Sequence, residues 1–514
     1  MSAGSYREVV AAAAPARLSE DALGDIQGFL TSGYGHLPLA TYLFLQFHDR
    51  AHAQAWLEQL APSITSSAPW PVAPDGTKIK PLSAVNLALT AAGLAALGLP
   101  PRVLCSFPIE FQEDIARPHR SAILGDTDES APARWEVGGS ENPPIHAAVL
   151  VHANSPLEMD RVCEAQRRLV HATAGAVSEI SSAVQTGYRP ESNREPFGFR
   201  DGMGQPSMQG LTGKGVPTGE FILGYLNHYG IIAPTPVVDA DLDGATILPP
   251  LENPYHAHPA LRDLGRNGSY VVYRKLQQDV AGFWQFMKRE ASLARGGEDP
   301  AHMVWLASRL VGRWPSGAPI AVTPDTDSPR LGDHDEFLYK NDPDGFACPL
   351  GAHVRRVNPR DVIKPYGHEQ SLSMSEAHRL LRRGRVFGPP LFDPQVLDSP
   401  ASPGGEVLRD LRDDGEPRGI HFLCVNASIK SQFEFVQQTW CNNPRFSGLH
   451  DNKDPIAGNN GCPGDPPSHM TVPGGPVPLR TAAVPRFVTV KGGAYLFMPS
   501  LAALRFLASF RAPD

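Results

Sequence analysis

The 514-residue chain contains few cysteines, six in all, and they are scattered along its length. No two of them form a CxxC pair, which excludes a zinc knuckle and a thioredoxin-type redox motif. Reduced thiols in a cytoplasm are the simplest interpretation. The amino-terminal residues include neither a basic segment followed by an apolar one nor a twin arginine. We therefore expect no export signal and a cytoplasmic location.

Long apolar runs and long basic runs are also missing. The best apolar candidate, Asn86–Leu99, is short, carries Thr90 and Gly93, and ends at Pro100, whereas a membrane-spanning helix needs about 18 or more apolar residues. The 46 Lys and Arg residues are outnumbered by 54 Asp and Glu residues, which gives a net charge of −8. We therefore expect neither a membrane span nor a nucleic-acid partner.

What the chain does have is the composition of a folded core. Apolar residues make up 41% and charged residues 19%, whereas a disordered chain would have fewer of the first and more of the second. The length allows about three domains, or two large ones. Glycine and proline, with 48 and 51 residues, exceed average usage without any period. This excess predicts many long ordered loops, which usually carry function or surround a site.

Two parts of the sequence share an order of strand, helix and strand. In the first, the apolar run Ile145–Ala153 predicts a strand, and Ser155 predicts the capped start of a helix that reaches about Ala174. The other predicted elements are a strand at Ala176–Val184, a strand at Gly419–Val425, a helix at Ser428–Trp440, a hairpin made of Arg486–Val490 and Ala494–Met498, and a helix at Ser500–Phe510. This pattern predicts an α+β fold with antiparallel sheets in two halves.

Four segments combine residue types that can carry chemistry. They are Pro196–Pro206 with Asp201, Cys348–Arg360 with His353, Leu380–Pro390 with Arg382, and Ser431–Gln437 with Glu434. A neutral imidazole is the commonest metal ligand, and neighbouring arginines suit carboxylates. Taken singly, each segment also has a structural explanation: an Asp-Gly turn, a structural histidine beside solvated arginines, a helix that ends at a glycine, and a surface carboxylate.

Taken together, the segments resemble the dye-decolorizing peroxidases, specifically the long subgroup. Gly198–Gly202 matches the GxxDG motif of that family, Gly351–Arg356 with Asn358–Arg360 matches its proximal-histidine segment, and Leu381–Gly384 with Phe387 and Gly388 matches its distal-arginine segment. Further similar stretches are Asp25–Gly28, Gly265–Tyr270, Met303–Pro315 and Gly492–Ser500. The motifs occur in the order of the family, and the resemblance spans roughly residues 24–510.

The resemblance implies a fold of two ferredoxin-like α+β modules of the dimeric α+β barrel type, with haem between sheet and helices. The expected boundaries are an N-terminal arm at 1–22, a module at 23–230 that carries the GxxDG motif, and a module at 231–514 that carries the proximal histidine and the distal arginine. The implied cofactor is haem b with its iron, held non-covalently, since the sequence has no CxxCH motif for covalent attachment.

The resemblance also implies roles for individual residues. His353 would bind the iron, while Asp201 and Arg382 would be the catalytic pair on the distal face. Asp201 would carry the peroxide proton, and Arg382, which cannot deprotonate, would stabilise developing negative charge. Arg360 and Glu434 are further expected cofactor-binding residues. Glu434 is expected to be the carboxylate that is hydrogen-bonded to His353.

The implied function is a peroxidase that reduces hydrogen peroxide to water and oxidises organic donors, such as dyes and phenolics, in one-electron steps. Trp440 and Tyr366 are candidate surface residues for passing oxidising equivalents to bulky dyes. The alternative is a haem-binding or haem-iron-releasing protein of the same fold with little peroxidase turnover. The spacing from His353 to Arg382 suggests a loop insertion at Asp361–Glu376.

Overall fold

The computed structural model describes residues 17–252, 260–399, 403–473 and 477–511. Most of the expected N-terminal arm, 1–22, lies outside these ranges, and a helix already begins at Glu20. In the described part of the chain, no helix is both long and apolar enough to cross a membrane. The boundaries expected at 23–230 and 231–514, and the cytoplasmic location, stay predictions.

Fourteen strands occur in the described ranges, and ten of them form one sheet. In chain order they are β1 Leu39–Phe47, β2 Ser83–Leu89, β3 Ala147–Ala153, β4 Val177–Glu179, β5 Gln185–Tyr188, β6 Val237–Asp239, β7 Leu261–Asp263, β8 Ser269–Gln278, β9 Leu381–Arg382, β10 Arg385–Phe387, β11 Gly419–Asn426, β12 Thr471–Val472, β13 Leu479–Arg480 and β14 Val488–Met498. The pairs β6–β7 and β12–β13 form two small separate sheets.

The large sheet closes on itself through antiparallel pairs. Its strands follow the order β10-β5-β1-β3-β2-β14-β8-β11, and β10 pairs with β11 as well as with β5. Val386 of β10 lies opposite Tyr188 of β5 and also opposite Ile420 of β11. The α+β class and the antiparallel pairing are therefore confirmed, in a closed, barrel-like arrangement. The division into two ferredoxin-like modules stays a prediction.

Helices surround this sheet. The α-helices are Glu20–Asp25, Gly28–Thr31, Arg50–Leu60, Ala91–Ala96, Pro101–Leu104, Ile109–Glu113, Pro118–Leu124, Pro156–His171, Gln209–Thr212, Val280–Arg295, Pro300–Val311, His353–Val357, His368–Ala377 and Leu501–Ser509. Two π-helical segments, Lys430–Glu434 and Val436–Cys441, form the helix that the sequence predicted at Ser428–Trp440. The predicted cap is also present, because Ser155 Oγ accepts a hydrogen bond from the Glu158 N–H.

Alternation along the strands separates two apolar cores. Tyr42, Leu150, Tyr273 and Leu496 belong to the core inside the closed sheet. The residues next to them along the strands, such as Leu43, point outward and pack under the helices. The outer face of the sheet is therefore the face on which a site between sheet and helices can form.

The predicted hairpin around Lys491–Gly493 is wrong. Val488–Met498 is one continuous strand, with a β-bulge between Val490 and Gly492. The glycines mark close packing instead of a turn: a Cβ on Gly492 would lie 2.4 Å from Val137, and one on Gly493 would lie 3.0 Å from the Trp135 ring.

Three local predictions also need correction. The predicted strand Ala176–Val184 is broken after Glu179 by a 3₁₀ turn at Ser181–Ala183. The segment around Leu381 and Arg382 forms a strand and does not end a helix. The second half of the expected loop insertion, Asp361–Glu376, is helical, because the helix His368–Ala377 begins there.

Candidate active site

A cavity lies against the outer face of the closed sheet. Strands β8, β11 and β14 supply one wall through Arg274, Leu276, Gln278, Ile420, Phe422, Val488 and Val490. The opening is lined further by Asp201, His353, Arg360 and Arg382. Four of the five residues predicted for the site thus share one cavity, although they are up to 181 positions apart in the sequence.

Asp201 sits on a tight loop. Gly198 and Gly202 adopt positive φ values of 99° and 86°, which side chains other than glycine rarely tolerate. The Asp201 N–H donates to the Asn193 carbonyl at 2.9 Å. The loop therefore fixes the backbone of Asp201, while 47% of its side chain stays accessible.

Arg382 is oriented toward Asp201 by its own hydrogen bonds. Its backbone N–H donates to Gln205 Oε1 at 2.9 Å, and its Nη2 donates to the Met203 carbonyl at 2.7 Å. Its Nη1 lies 3.6 Å from Asp201 Oδ1. The neighbouring Arg383 points elsewhere, because its guanidinium donates to the Phe29 carbonyl. Arg382 is thus the arginine of this pair that lies beside the carboxylate.

Glu195 also fixes the loop that carries Asp201. Its two carboxylate oxygens accept the Phe197 N–H at 3.0 Å and the Phe199 N–H at 2.9 Å, and Gln278 Nε2 donates to it at 2.7 Å. Burial raises the pKa of Glu195 to about 7. Sequence reasoning missed this residue, although it lies six positions before Asp201.

The imidazole of His353 is held by a buried carboxylate, and that carboxylate is Asp454. His353 Nδ1 lies 2.9 Å from Asp454 Oδ2 and 3.1 Å from Oδ1. The Asp454 side chain has no exposed surface, and its Oδ1 also accepts the N–H groups of Ile456 and Ala457, each at 2.8 Å. Burial opposes ionisation of Asp454, but the charge and hydrogen bond of His353 keep its pKa below the ordinary range.

The prediction that Glu434 is the partner of His353 is therefore wrong. Glu434 Oε1 accepts a hydrogen bond from the Tyr495 hydroxyl at 2.8 Å, and its Oε2 pairs with Arg120 at 3.0 Å. Both oxygens are therefore bound by residues other than His353, while the neighbouring Phe433 lines the cavity. Asp454 was missed because it lies in a long loop, 101 positions after His353, where no local pattern points to it.

Trp440 is not a surface residue. It is 2% exposed and packs against Phe446, whereas Tyr366 is 46% exposed. Of the two candidate relay residues, only Tyr366 can meet a bulky molecule directly.

The cavity wall is rich in positive charge. Its lining contains seven arginines against four acidic residues. Arg313 and Arg360 share the carboxylate of Asp335. Burial lowers the pKa of Arg379 to about 10, and the nearby charge of Arg360 adds to this effect. An anionic group placed here would gain several guanidinium partners.

The donor set fits a haem. Within the described ranges, His353 Nε2 makes no hydrogen bond while Nδ1 is occupied by Asp454, which is the arrangement of a metal-ligating imidazole. Arg360 Nε is buried without a partner, so a carboxylate of the cofactor has a donor available. The apolar wall residues Leu276, Phe422 and Val490 suit the ring itself.

Comparisons with known proteins find similar peroxidases, although no protein-family model matches the chain. A multifunctional dye peroxidase of an Amycolatopsis species is 30% identical over 488 residues, which cover 91% of this chain and 92% of that protein. A dye-decolorizing peroxidase of Mycena epipterygia is 28% identical over 473 residues, 84% of this chain and 77% of that protein.

Solved structures show the same similarity in their fold. A dye-decolorizing peroxidase in complex with 2,6-dimethoxyphenol superposes with a TM-score of 0.71 at 26% identity, over 95% of this chain and 99% of that one. The identity of 30% across nearly the full length of both proteins, together with the shared fold, confirms the resemblance of the motifs. The chain belongs to the dye-decolorizing peroxidase family and is a haem-dependent peroxidase.

Proposed function

We propose that the chain binds haem b non-covalently, with its iron on His353, and uses hydrogen peroxide to oxidise organic donors such as dyes and phenolics. The observation that carries the proposal is that one cavity is lined both by His353, which is bound by the buried Asp454, and by the pair Asp201 and Arg382. One pair suits a metal, and the other suits a proton transfer beside a fixed positive charge.

His353 is the proposed iron ligand because its Nε2 is the free ring nitrogen. Asp454 accepts from Nδ1, so it fixes the tautomer and the ring orientation. The negative charge of Asp454 also makes the imidazole a stronger electron donor. Bound haem supplies an iron that accepts peroxide and stores its two oxidising equivalents.

Asp201 is the proposed proton carrier. Its accessible carboxylate would take the proton from one oxygen of peroxide and return it to the other oxygen, which would leave as water. The Asn193 hydrogen bond to its backbone keeps the carboxylate at the cavity wall.

Arg382 is the proposed source of fixed charge. Its guanidinium stays protonated throughout, so it stabilises negative charge on the departing oxygen without competing for the proton. The Met203 carbonyl holds Nη2, which leaves Nη1 near Asp201 free to act.

Arg360 is proposed to bind a carboxylate of haem. Its Nη groups are already engaged by Asp335 and by the Phe337 carbonyl, and its unpartnered Nε is the remaining donor. Arg379, which donates to the Gly204 carbonyl, adds positive charge at the same wall.

A haem-binding or iron-releasing protein without turnover would need His353 but not the Asp201–Arg382 pair. The test is reconstitution with haem followed by rapid mixing with peroxide. We expect a Soret band, a fast spectral change on mixing, and return to the resting spectrum when a phenolic donor is added. Fluorescence from released metal-free porphyrin, or an absorption spectrum that peroxide leaves unchanged, would contradict the proposal.

A further inference from the structure

We propose that Tyr495 is a redox-active tyrosine of the peroxidase reaction and that Glu434 receives its phenolic proton. This inference rests on the haem binding proposed above. The Tyr495 hydroxyl donates to Glu434 Oε1 at 2.8 Å, and the two residues are 0% and 4% exposed. A phenol that is already hydrogen-bonded to a carboxylate can lose its proton within that bond, so its oxidation does not leave a buried cation.

Tyr495 lies on the cavity side of the sheet. Arg274 and Leu276 of β8 line the cavity, and after the β-bulge Gly493 lies opposite Arg274, while Tyr495 lies opposite Val272. Alternation places Val272 and Arg274 on the same face of β8. Tyr495 therefore faces the same side as the cavity wall.

Phe433 connects Tyr495 with the cavity. Its ring lines the cavity, and its centroid lies 6.4 Å from that of Tyr495 in an edge-to-face arrangement. The guanidinium carbon of Arg274 lies over the same ring, 5.7 Å from its centroid. Phe433 thus makes an aromatic contact between the cavity lining and Tyr495.

The surroundings of Glu434 allow its carboxylate to take up a proton. Its Oε2 pairs with Arg120, which also pairs with Glu113 and lies 3.9 Å from Glu110. When Glu434 becomes neutral, Arg120 therefore keeps two other carboxylates. Burial also raises the pKa of Glu434, although Tyr495 and Arg120 oppose the shift.

The proposed oxidation removes one electron and one proton from Tyr495. Tyr495 gives one electron to the cofactor after that cofactor has reacted with peroxide, and its O–H proton moves to Glu434 Oε1. The products are a neutral phenoxyl radical and a neutral carboxylic acid. An organic donor later returns one electron, Glu434 returns the proton, and the tyrosine is restored.

Two other buried tyrosines serve as matched controls, because each lacks one of the two features. Tyr270 lies on the same face of the sheet as Tyr495, but its hydroxyl is buried without a partner. Tyr273 bonds His421 Nδ1 at 3.2 Å, but it belongs to the core inside the closed sheet. Tyr495 combines the cavity-side position with a proton acceptor.

The experiment uses haem-loaded enzyme mixed with peroxide in the absence of a donor, frozen within milliseconds and examined by electron paramagnetic resonance. We expect a tyrosyl signal in the wild type, in Tyr270→Phe and in Tyr273→Phe, and at least a tenfold loss of that signal in Tyr495→Phe. A full signal in Tyr495→Phe, or its loss in Tyr270→Phe, would overturn the proposal.

Glu434→Gln provides the second variant, since it keeps the shape of the side chain and leaves Tyr495 in place. We expect the exchangeable proton coupled to the phenoxyl oxygen, visible by double resonance in the wild type, to disappear or to change its coupling. An unchanged coupling would overturn the role of Glu434. The Soret band and peroxide consumption are recorded on the same samples, so a failure to bind haem or to react with peroxide is separated from a failure of the radical assignment.

Discussion

His353 and Asp454 lie 101 positions apart in the chain, yet the imidazole Nδ1 and the carboxylate Oδ2 are 2.9 Å apart. The carboxylate has no exposed surface and is held by two backbone N–H groups of its own loop. The orientation of the histidine ring therefore depends on a distant loop as well as on the short helix that begins at His353.

Replacement of Asp454 should weaken the site more than replacement of Glu434. Asp454→Asn removes the charge behind His353, and loss of such a partner typically costs 10- to 100-fold in metal affinity or activity. We expect a lower haem affinity and a higher iron reduction potential, measured by haem titration and spectroelectrochemistry. Glu434→Gln is the control, with affinity and potential close to wild type. Equal effects of the two variants would contradict the assignment.

His353→Ala should lose haem, because the only proposed protein bond to the iron is removed. We expect purified variant protein without a Soret band after reconstitution and desalting. His378 is a suitable control position, since its ring stacks on Phe435 and its Nδ1 bonds the Ser431 carbonyl. A wild-type spectrum in His353→Ala would show that another histidine binds the iron.

Arg382→Leu should keep haem but slow the reaction with peroxide. Loss of one charged donor from a site of this kind costs about 10²–10³ in rate. The matched control is Arg383→Leu, because Arg383 donates to backbone carbonyls away from the cavity. Stopped-flow absorbance gives both rates. If Arg383→Leu were the slow variant, the assignment of the distal arginine would be wrong.

Asp201→Asn should slow the same reaction, since an amide cannot accept and return the proton of peroxide. The Asn193 hydrogen bond involves only the backbone of residue 201, so the loop should keep its shape. We expect unchanged haem content together with a rate loss of about 10²–10⁴, the usual contribution of a positioned acid–base group. The same rate as wild type across the pH range would exclude Asp201 as the proton carrier.

The stability of the protein should depend on pH through Glu195. Burial raises its pKa from 4.5 to about 7 in the folded chain, so the folded state holds this proton more tightly than the unfolded state does. The stabilisation is fully present below about pH 4.5 and is lost as the pH rises to about 7. Glu195→Gln should flatten this part of the denaturation profile. Glu220, whose pKa burial also raises to about 7, supplies the second component and should leave a residual slope.

The sequence predicted the local elements well where hydrophobic periodicity and capping agree. The strand predicted at Ile145–Ala153 runs from Ala147 to Ala153, and Ser155 caps the helix that follows. The glycine pair at Gly492 and Gly493 was misleading, because glycine permits both a turn and close packing. Close packing against Val137 and Trp135 explains the two glycines. This contact is tertiary, so a local sequence pattern does not predict it.

The site residues divide in the same way, into those that local motifs predict and those that depend on tertiary contacts. Asp201, His353 and Arg382 stand in motifs whose residue order is local, and all three line one cavity. The partner of His353 could not be chosen from the sequence, since both Glu434 and Asp454 are acidic residues in the second half of the chain. Glu434 is bound by Arg120 and Tyr495, whereas Asp454 accepts hydrogen bonds from the backbone N–H groups of its own loop.

The position of β14 in the sheet affects how the protein is made. This strand begins at residue 488, yet it lies between β2 and β8 and supplies Val488 and Val490 to the cavity wall. During synthesis the sheet therefore has a central gap until the residues from 488 to 498 have emerged from the ribosome. Because contacts between distant segments form slowly, the cofactor cavity is completed only after β14 has been made and has paired with β2 and β8, and we expect haem to bind after that step.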